Sequence, residues 1–313
     1  MKPIPLVTVT CASRSVVTLR CRRSRHLHFP MKPNILIAVI TLASCAALRA
    51  SEPPKGEPTN AAEAAAQEAA AKKAKADTET DAKYQALVAT LPPDQQEWER
   101  TLQANLGGFY LPLYKRVRVE GRSSCWDFVQ DIAGVPRVLL IGDSVSGGYT
   151  LSARKALAGK ANVHKAPENC GPTANGLKKL DVWLGGGKWD VIHFNFGLHD
   201  SKTPVAEYES RLREIVARLK KTGATLIWAS TTPRPADGKE GPAFVTAVIE
   251  RNEIAARVMK ENGIATDDLY AAILPHQAEM QNPKDVHFNT NGYEFLGLQV
   301  AAAIETVLKT SRR

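Results

Sequence analysis

From about residue 135 onward, short apolar, β-branched runs alternate with longer amphipathic stretches, and that alternation limits the folds open to the chain. The strand-like runs are 137–141, 162–165, 191–196, 225–230 and 264–266, and the helix-like stretches are 148–158, 205–221, 243–262 and 292–308. Repeated β and α units of this kind build a parallel sheet covered by helices on both faces. In 205–221, Leu212, Ile215, Val216 and Leu219 fall on one stripe, with Arg and Glu elsewhere. Lys221-Thr222-Gly223 then supplies the cation and the glycine that commonly end a helix. There is no internal repeat, and residues 135–313 have the size of one such domain.

The first run, Arg137-Val138-Leu139-Leu140-Ile141, stops abruptly at Gly142-Asp143-Ser144. In open α/β sheets ligands collect beyond the carboxyl ends of the strands, so a serine there is placed as a nucleophile. A hydroxyl needs a base to attack a carbonyl at neutral pH, and imidazole is the usual one. Asp285-Val286-His287 offers a histidine with an acidic neighbour. Taken alone, Ser144 reads as a helix N-cap and Asp143 as a brace of the turn. Two further blocks lie between them in sequence, Asn169-Cys170-Gly171 and Gly197-Leu198-His199-Asp200.

In that order the four blocks resemble those of the SGNH/GDSL hydrolase superfamily, over a stretch from about Arg137 to the C-terminus. The third block, with Glu168 to Thr173 before it, is similar to a bacterial branch that carries Gly-Leu-His-Asp. The resemblance implies a three-layer α/β/α sandwich with a five-stranded parallel sheet, the flavodoxin-like SGNH hydrolase fold. It also implies hydrolysis of acyl esters without metal or cofactor. Ser144 would attack the carbonyl, and His287 would take its proton and return it to the leaving alcohol. The N–H groups of Ser144 and Gly171 would hold the oxyanion. Asp143, Asn169 and Asp200 would support the site, Asp200 as a cap of the helix after Pro204 or as a buttress.

Two positions depart from the family pattern. His199 stands where an Asn side chain would complete the oxyanion hole; an imidazole N–H can make that donation, or the ring contacts substrate instead. The family's acid lies three residues before the histidine, where this chain has Lys284, and Asp285 is only two before it. Either Asp285 orients His287, or the site is a Ser–His dyad steadied by a backbone carbonyl.

Charge and the amino terminus bound the rest. The formal charge of +9 suggests nucleic acid until its distribution is examined. Residues 1–50 hold eight of the 41 Lys and Arg and no acidic residue, which leaves 33 basic against 32 acidic residues beyond them, so nucleic acid is not an expected partner. Met31-Lys32-Pro33-Asn34 followed by an apolar run from Ile35 and small residues to Ala50 has the layout of a secretory signal, with Met31 as a candidate start. Leu42-Ala43-Ser44-Cys45 also matches a lipobox, so the expected membrane link is a lipid on Cys45 or none. The expected location is therefore periplasmic or extracellular. Cys125 and Cys170 then form a disulfide or remain two unrelated thiols.

The expected organisation is a leader over 1–50, an Ala/Lys/Glu linker over 51–82, a helical extension over 83–134 and the hydrolase domain over 135–313. The alanine-rich part, 61–76, reads as a solvated helix or a tether and cannot build a core. Trp98, Phe109, Tyr110, Leu111, Leu113 and Tyr114 would dock the extension on the main domain. Packing is also the reading for Trp126, Trp183, Trp189 and Trp228, with stacking on sugar rings as the alternative. His193 reads as a core histidine, His164 and His276 have no partner signal, and no spacing of His, Cys or carboxylates matches a metal motif. The expected function is an exported serine esterase acting on small or glycan acyl esters. The alternatives are an O-acyltransferase on envelope glycans and a non-catalytic carbohydrate-binding protein on the same fold.

Overall fold

The computed structural model describes residues 60–310 apart from Lys239, and the proposed leader, the Met31 start and the Cys45 lipobox lie outside them. Five strands form one sheet: β1 (Arg137–Ile141), β2 (Asn162–Lys165), β3 (Val191–Phe194), β4 (Thr225–Ala229) and β5 (Ala265–Asp267). Every pairing is parallel and the spatial order is β2-β1-β3-β4-β5. The inner strands are mostly apolar because both faces are covered: β3 is buried at all four positions, His193 included, and β1 at its last four.

The helices are α1 (Asn60–Ala89), α2 (Pro93–Asn105), α3 (Gly107–Val119), α4 (Ser144–Ala156), α5 (Thr173–Leu184), α6 (Val205–Lys220), α7 (Pro242–Asn262), α8 (Leu269–Ile273), α9 (Gln277–Met280) and α10 (Thr290–Thr310). Among the described residues no helix is long and apolar enough to cross a membrane. One core lies between the sheet and α4, α8 and α10, built on Val138, Leu140, Tyr149, Ile273, Leu296 and Val300. The other lies between the opposite face and α5, α6 and α7, built on Leu139, Ile192, Phe194, Trp228, Leu212 and Val258. The molecule is therefore a three-layer α/β/α sandwich. On α6 the buried positions Leu212, Ile215, Val216 and Leu219 are those of the sequence stripe.

Four helices depart from the sequence reading: the short α8 and α9 were not expected, and α4 and α5 bear on the site. α4 begins at Ser144, not 148, because Asp143 caps it: its carboxylate accepts from the Val145 N–H at 2.9 Å. Gly147-Gly148 sits inside that helix, and a β-carbon at Gly148 would fall 2.1 Å from the Tyr293 ring, so the glycine is there for close packing. α5 was not expected at all. Its N-terminal cap comes from Asp200, a residue far away in sequence.

The amino-terminal helices gather around a third, smaller core of Tyr84, Leu102, Leu106, Tyr114 and Trp126. Helix α1 runs through residue 82; its side chains from 63 to 76 are exposed, and Tyr84 is its buried anchor. At the centre of the cluster Glu99 accepts from Tyr84 (2.7 Å), Tyr114 (2.9 Å) and Arg118 (3.1 Å). Trp126 links this cluster to the sheet: its indole donates to the Ala166 carbonyl at 3.1 Å, and its own carbonyl accepts from the Trp98 indole at 2.7 Å. Phe109 and Leu113, expected to dock, are exposed instead, because they lie on the outer side of α3. Trp228, Trp183 and Trp126 are packing residues, and Arg137 lies over the face of the half-buried Trp189.

Cys125 and Cys170 are free thiols, so the disulfide reading does not hold. Cys125 packs near Gly147 of α4, whereas Cys170 is fully buried in the core beside α5. Burial pushes the Cys170 thiol up to about 11.

Candidate active site

The chain runs from β1 outward to β2 and then crosses back to β3 on the other side of β1. The strand order reverses at that point, and in such sheets the crevice beyond the strand ends is where ligands bind. Ser144 follows β1, Gly171 follows β2 and His199 follows β3, so three of the four sequence blocks open onto this crevice.

The turn that presents Ser144 is held from below. The Lys165 ammonium, almost fully buried, donates to the Gly142 carbonyl at 2.8 Å, and the Cys170 N–H reaches the same oxygen at 3.3 Å. With Asp143 as the cap, the Ser144 hydroxyl is free for another partner. Its backbone N–H belongs to the first turn of α4, where N–H groups have no acceptor within the helix and the helix dipole favours negative charge.

The partner of that hydroxyl is His287. Ser144 Oγ lies 2.8 Å from His287 Nε2, across 143 positions of sequence. His287 Nδ1 in turn lies 2.8 Å from Asp285 Oδ1. The two-residue spacing works because the same carboxylate oxygen also accepts the His287 backbone N–H at 3.2 Å, in a tight local turn. Lys284, the residue at the family's usual acid position, takes a left-handed φ of 58° and is exposed. The loop is closed by Asn282 N–H to the His287 carbonyl (2.9 Å) and by a bridge between Gln281 and Phe288. Of the two arrangements open from sequence, the carboxylate against Nδ1 is the one present.

Burial opposes the charge on Asp285, but the hydrogen bonds from the His287 ring and backbone outweigh it and hold the carboxyl below its ordinary 3.8. A lowered carboxyl contributes to stability above its unfolded value, and the contribution is lost as pH falls through the lower folded value. Asp285 is about half exposed, so solvent screens most of that gain.

The supporting residues occupy distinct places. Gly171 has a φ of +63°, a conformation that suits glycine and turns its loop toward the crevice. Asn169 donates from Nδ2 to the Tyr110 hydroxyl at 2.5 Å. Asp200 is fully buried and accepts from the Thr173 N–H (2.9 Å) and hydroxyl (2.6 Å), so it caps α5, not the helix after Pro204. It thereby ties the third block to the second. His199 is 41% exposed, with Nε2 3.8 Å from Asp143 Oδ2. His193 is fully buried in β3, 3.0 Å from Asp267.

A profile of the GDSL-like lipase/acylhydrolase family matches residues 140–295, which span the Gly-Asp-Ser turn and the Asp285–His287 loop. The chain belongs to that family. As a GDSL-like acylhydrolase it is an enzyme of ester bonds. Comparison with curated proteins returns no match. Among solved structures, a GDSL-like lipase of Parabacteroides merdae aligns at 13% identity over 55% of this chain and 97% of its own, with a TM-score of 0.50. The lipase/acylhydrolase of Enterococcus faecalis aligns at 23% identity over 55% and 96%, with a TM-score of 0.49. The acetylxylan esterase Axe2 of Geobacillus stearothermophilus aligns at 16% identity over 54% and 94%, with a TM-score of 0.47.

Two features of this acylhydrolase escaped sequence reasoning. The buried Lys165 carries no local signal, since its role depends on the strand pairing of β1 with β2. Tyr110 reads as a packing aromatic, yet its hydroxyl is hydrogen-bonded to Asn169 of the second block. The cavity of about 390 Å³ lined by Trp98, Asp127, Arg154, His164, Trp183 and Trp189 does not include Ser144 or His287.

Proposed function

We propose that this acylhydrolase is an exported serine esterase that removes acyl groups, acetyl foremost, from carbohydrate esters. The observation that carries the serine mechanism is the row Ser144 Oγ, His287 Nε2 and Nδ1, Asp285 Oδ1, with both contacts at 2.8 Å. As Ser144 Oγ bonds to the ester carbon, its proton moves to His287 Nε2 and the carbonyl π pair moves onto oxygen. Asp285 stabilises the imidazolium and fixes its tautomer. The oxyanion falls to the N–H groups of Ser144 and Gly171. Collapse breaks the bond to the leaving alcohol, which takes the proton from His287. Water, deprotonated by the same ring, then frees the acyl group.

The carbohydrate part of the reading rests on the Gly-Leu-His-Asp resemblance and on the export-type leader. It is supported by Phe109, 72% exposed and edge-on to Tyr110 at 4.9 Å, which leaves an apolar ring face near the site. The test is a serine-directed fluorophosphonate probe, followed by product analysis on an O-acetylated glycan. The expected result is a label on Ser144 and release of free acetate. No label would overturn the serine mechanism, and acetyl carried to a glycan acceptor would replace hydrolysis by transfer.

Asp285→Asn removes the charge that orients His287 while keeping the side-chain volume. Because Asp285 is half exposed, water replaces part of its effect. The expected loss in kcat is about ten- to a hundredfold, smaller than for a buried triad acid. Steady-state kinetics check it, and an unchanged kcat would reduce the site to a dyad.

A further inference from the structure

The peptide unit between Val286 and His287 is held at both ends. Its N–H donates to Asp285 Oδ1 at 3.2 Å, the same oxygen that faces His287 Nδ1. Its carbonyl accepts from Gln281 Nε2 at 3.1 Å. A trans peptide unit is planar, so its C=O and N–H point in opposite directions. Fixing the oxygen therefore fixes the line along which the N–H reaches the carboxylate.

Gln281 is built in as that anchor. It is buried, and its amide is engaged on both sides: the second Nε2 proton goes to the Pro233 carbonyl at 2.8 Å, and Oε1 accepts from Gln277 Nε2 at 2.7 Å. Two carbonyls opposite the nitrogen fix which end of the amide is which. Pro233 follows β4, where Asn252 of α7 grips Thr231 from both sides, taking its N–H and donating to its carbonyl, each at 2.8 Å. The catalytic loop is thus tied to the end of the sheet by way of the Gln281 side chain. The loop has need of such a tie. Asp285 and His287 are both partly open to water, and Lys284 holds a left-handed φ of 58°, a conformation that persists where the surroundings enforce it.

We propose that Gln281 is a positioning residue for the reaction: through the Val286–His287 peptide it holds the Asp285 carboxylate against His287 Nδ1, and so sets the angle at which the base meets Ser144. The proposal rests on the serine-esterase reading above. Gln281 transfers no proton; its two amide hydrogens stay on the carbonyls of Pro233 and Val286. The role explains how an acid two residues before its histidine works in this chain. Asp285 reaches Nδ1 because the intervening peptide turns its N–H back onto the carboxylate, and Gln281 holds that turn.

The test is Gln281→Met in the full chain, made alone and together with Asp285→Asn. Methionine keeps the length of the side chain and removes both donors. With p-nitrophenyl acetate the single variant is expected to lose about tenfold in kcat, with KM within about twofold, since a base turned off line slows the chemistry more than the binding. In the Asp285→Asn background the same substitution is expected to cost no more than about twofold, because the carboxylate it positions is gone. A merely structural role would cost the same factor in both backgrounds, so equal losses overturn the proposal. An unchanged kcat in Gln281→Met or in Asp285→Asn, with Ser144→Ala inactive, also overturns it and leaves the esterase reading standing. Full activity in Ser144→Ala overturns both. If Gln281→Met does not fold, Gln277→Met releases the far side of the same amide. A kcat lower by about threefold that disappears in the Asp285→Asn background then supports the proposal, and an unchanged kcat, or an equal loss in both backgrounds, overturns it.

Discussion

Ser144→Ala is expected to lower kcat on p-nitrophenyl acetate by at least about a thousandfold, because removing the attacking oxygen of a serine–histidine unit leaves only the contribution of binding and oxyanion donors. The fold should not respond. Asp143 caps α4, and Lys165 and Cys170 hold the Gly142 carbonyl, so the substituted side chain supports no other contact of the turn. A thermal midpoint within about 2 °C of the parent would confirm that the loss is chemical. Turnover close to that of the parent would remove Ser144 from the mechanism and leave its contact with His287 without a catalytic meaning.

Glu99→Ala is expected to cost about 3–5 kcal/mol of stability, the range for breaking a buried charged network from one side. Glu99 is 1% exposed and receives two phenols and a guanidinium from two helices: Tyr84 in α1, and Tyr114 and Arg118 in α3. Removing the carboxylate strands all three donors where water reaches them poorly. Glu99→Gln keeps the volume and one acceptor, so its loss should be smaller. Urea denaturation of both variants measures the difference, and a Glu99→Ala midpoint equal to that of the parent would show that the amino-terminal cluster does not depend on this network.

The sheet was legible because β1, β3 and β4 are mostly apolar over their own four or five residues, and β1, β2 and β4 lie within one residue of where the sequence puts them. Helix α6 was legible for the same reason: its stripe and its terminal cation and glycine are local. What was not legible depends on distant partners. Helix α5 opens after Pro172 with Thr-Ala-Asn-Gly, a poor start by itself, and its cap is Asp200. The early start of α4 was hidden because Gly147-Gly148 reads as a turn until Tyr293 is packed against it. At the site, sequence alone named Ser144 and His287 but left two arrangements for the acid, since only the local turn at Asp285 shows that a two-residue spacing reaches Nδ1. Tyr110 could not be found from its neighbours in sequence, because what brings its hydroxyl to Asn169 is the docking of α3 through Trp126.

His287 sits three residues before α10, and α10 is seated against α4, where Gly297 comes so close that a β-carbon would lie 2.4 Å from that of Ser152. The base is thus delivered to the nucleophile by the last helix described. During synthesis the serine emerges well before its proton acceptor, and the pair is complete only once α10 has left the ribosome and closed against α4. The appearance of turnover would thus report the docking of α10 against α4.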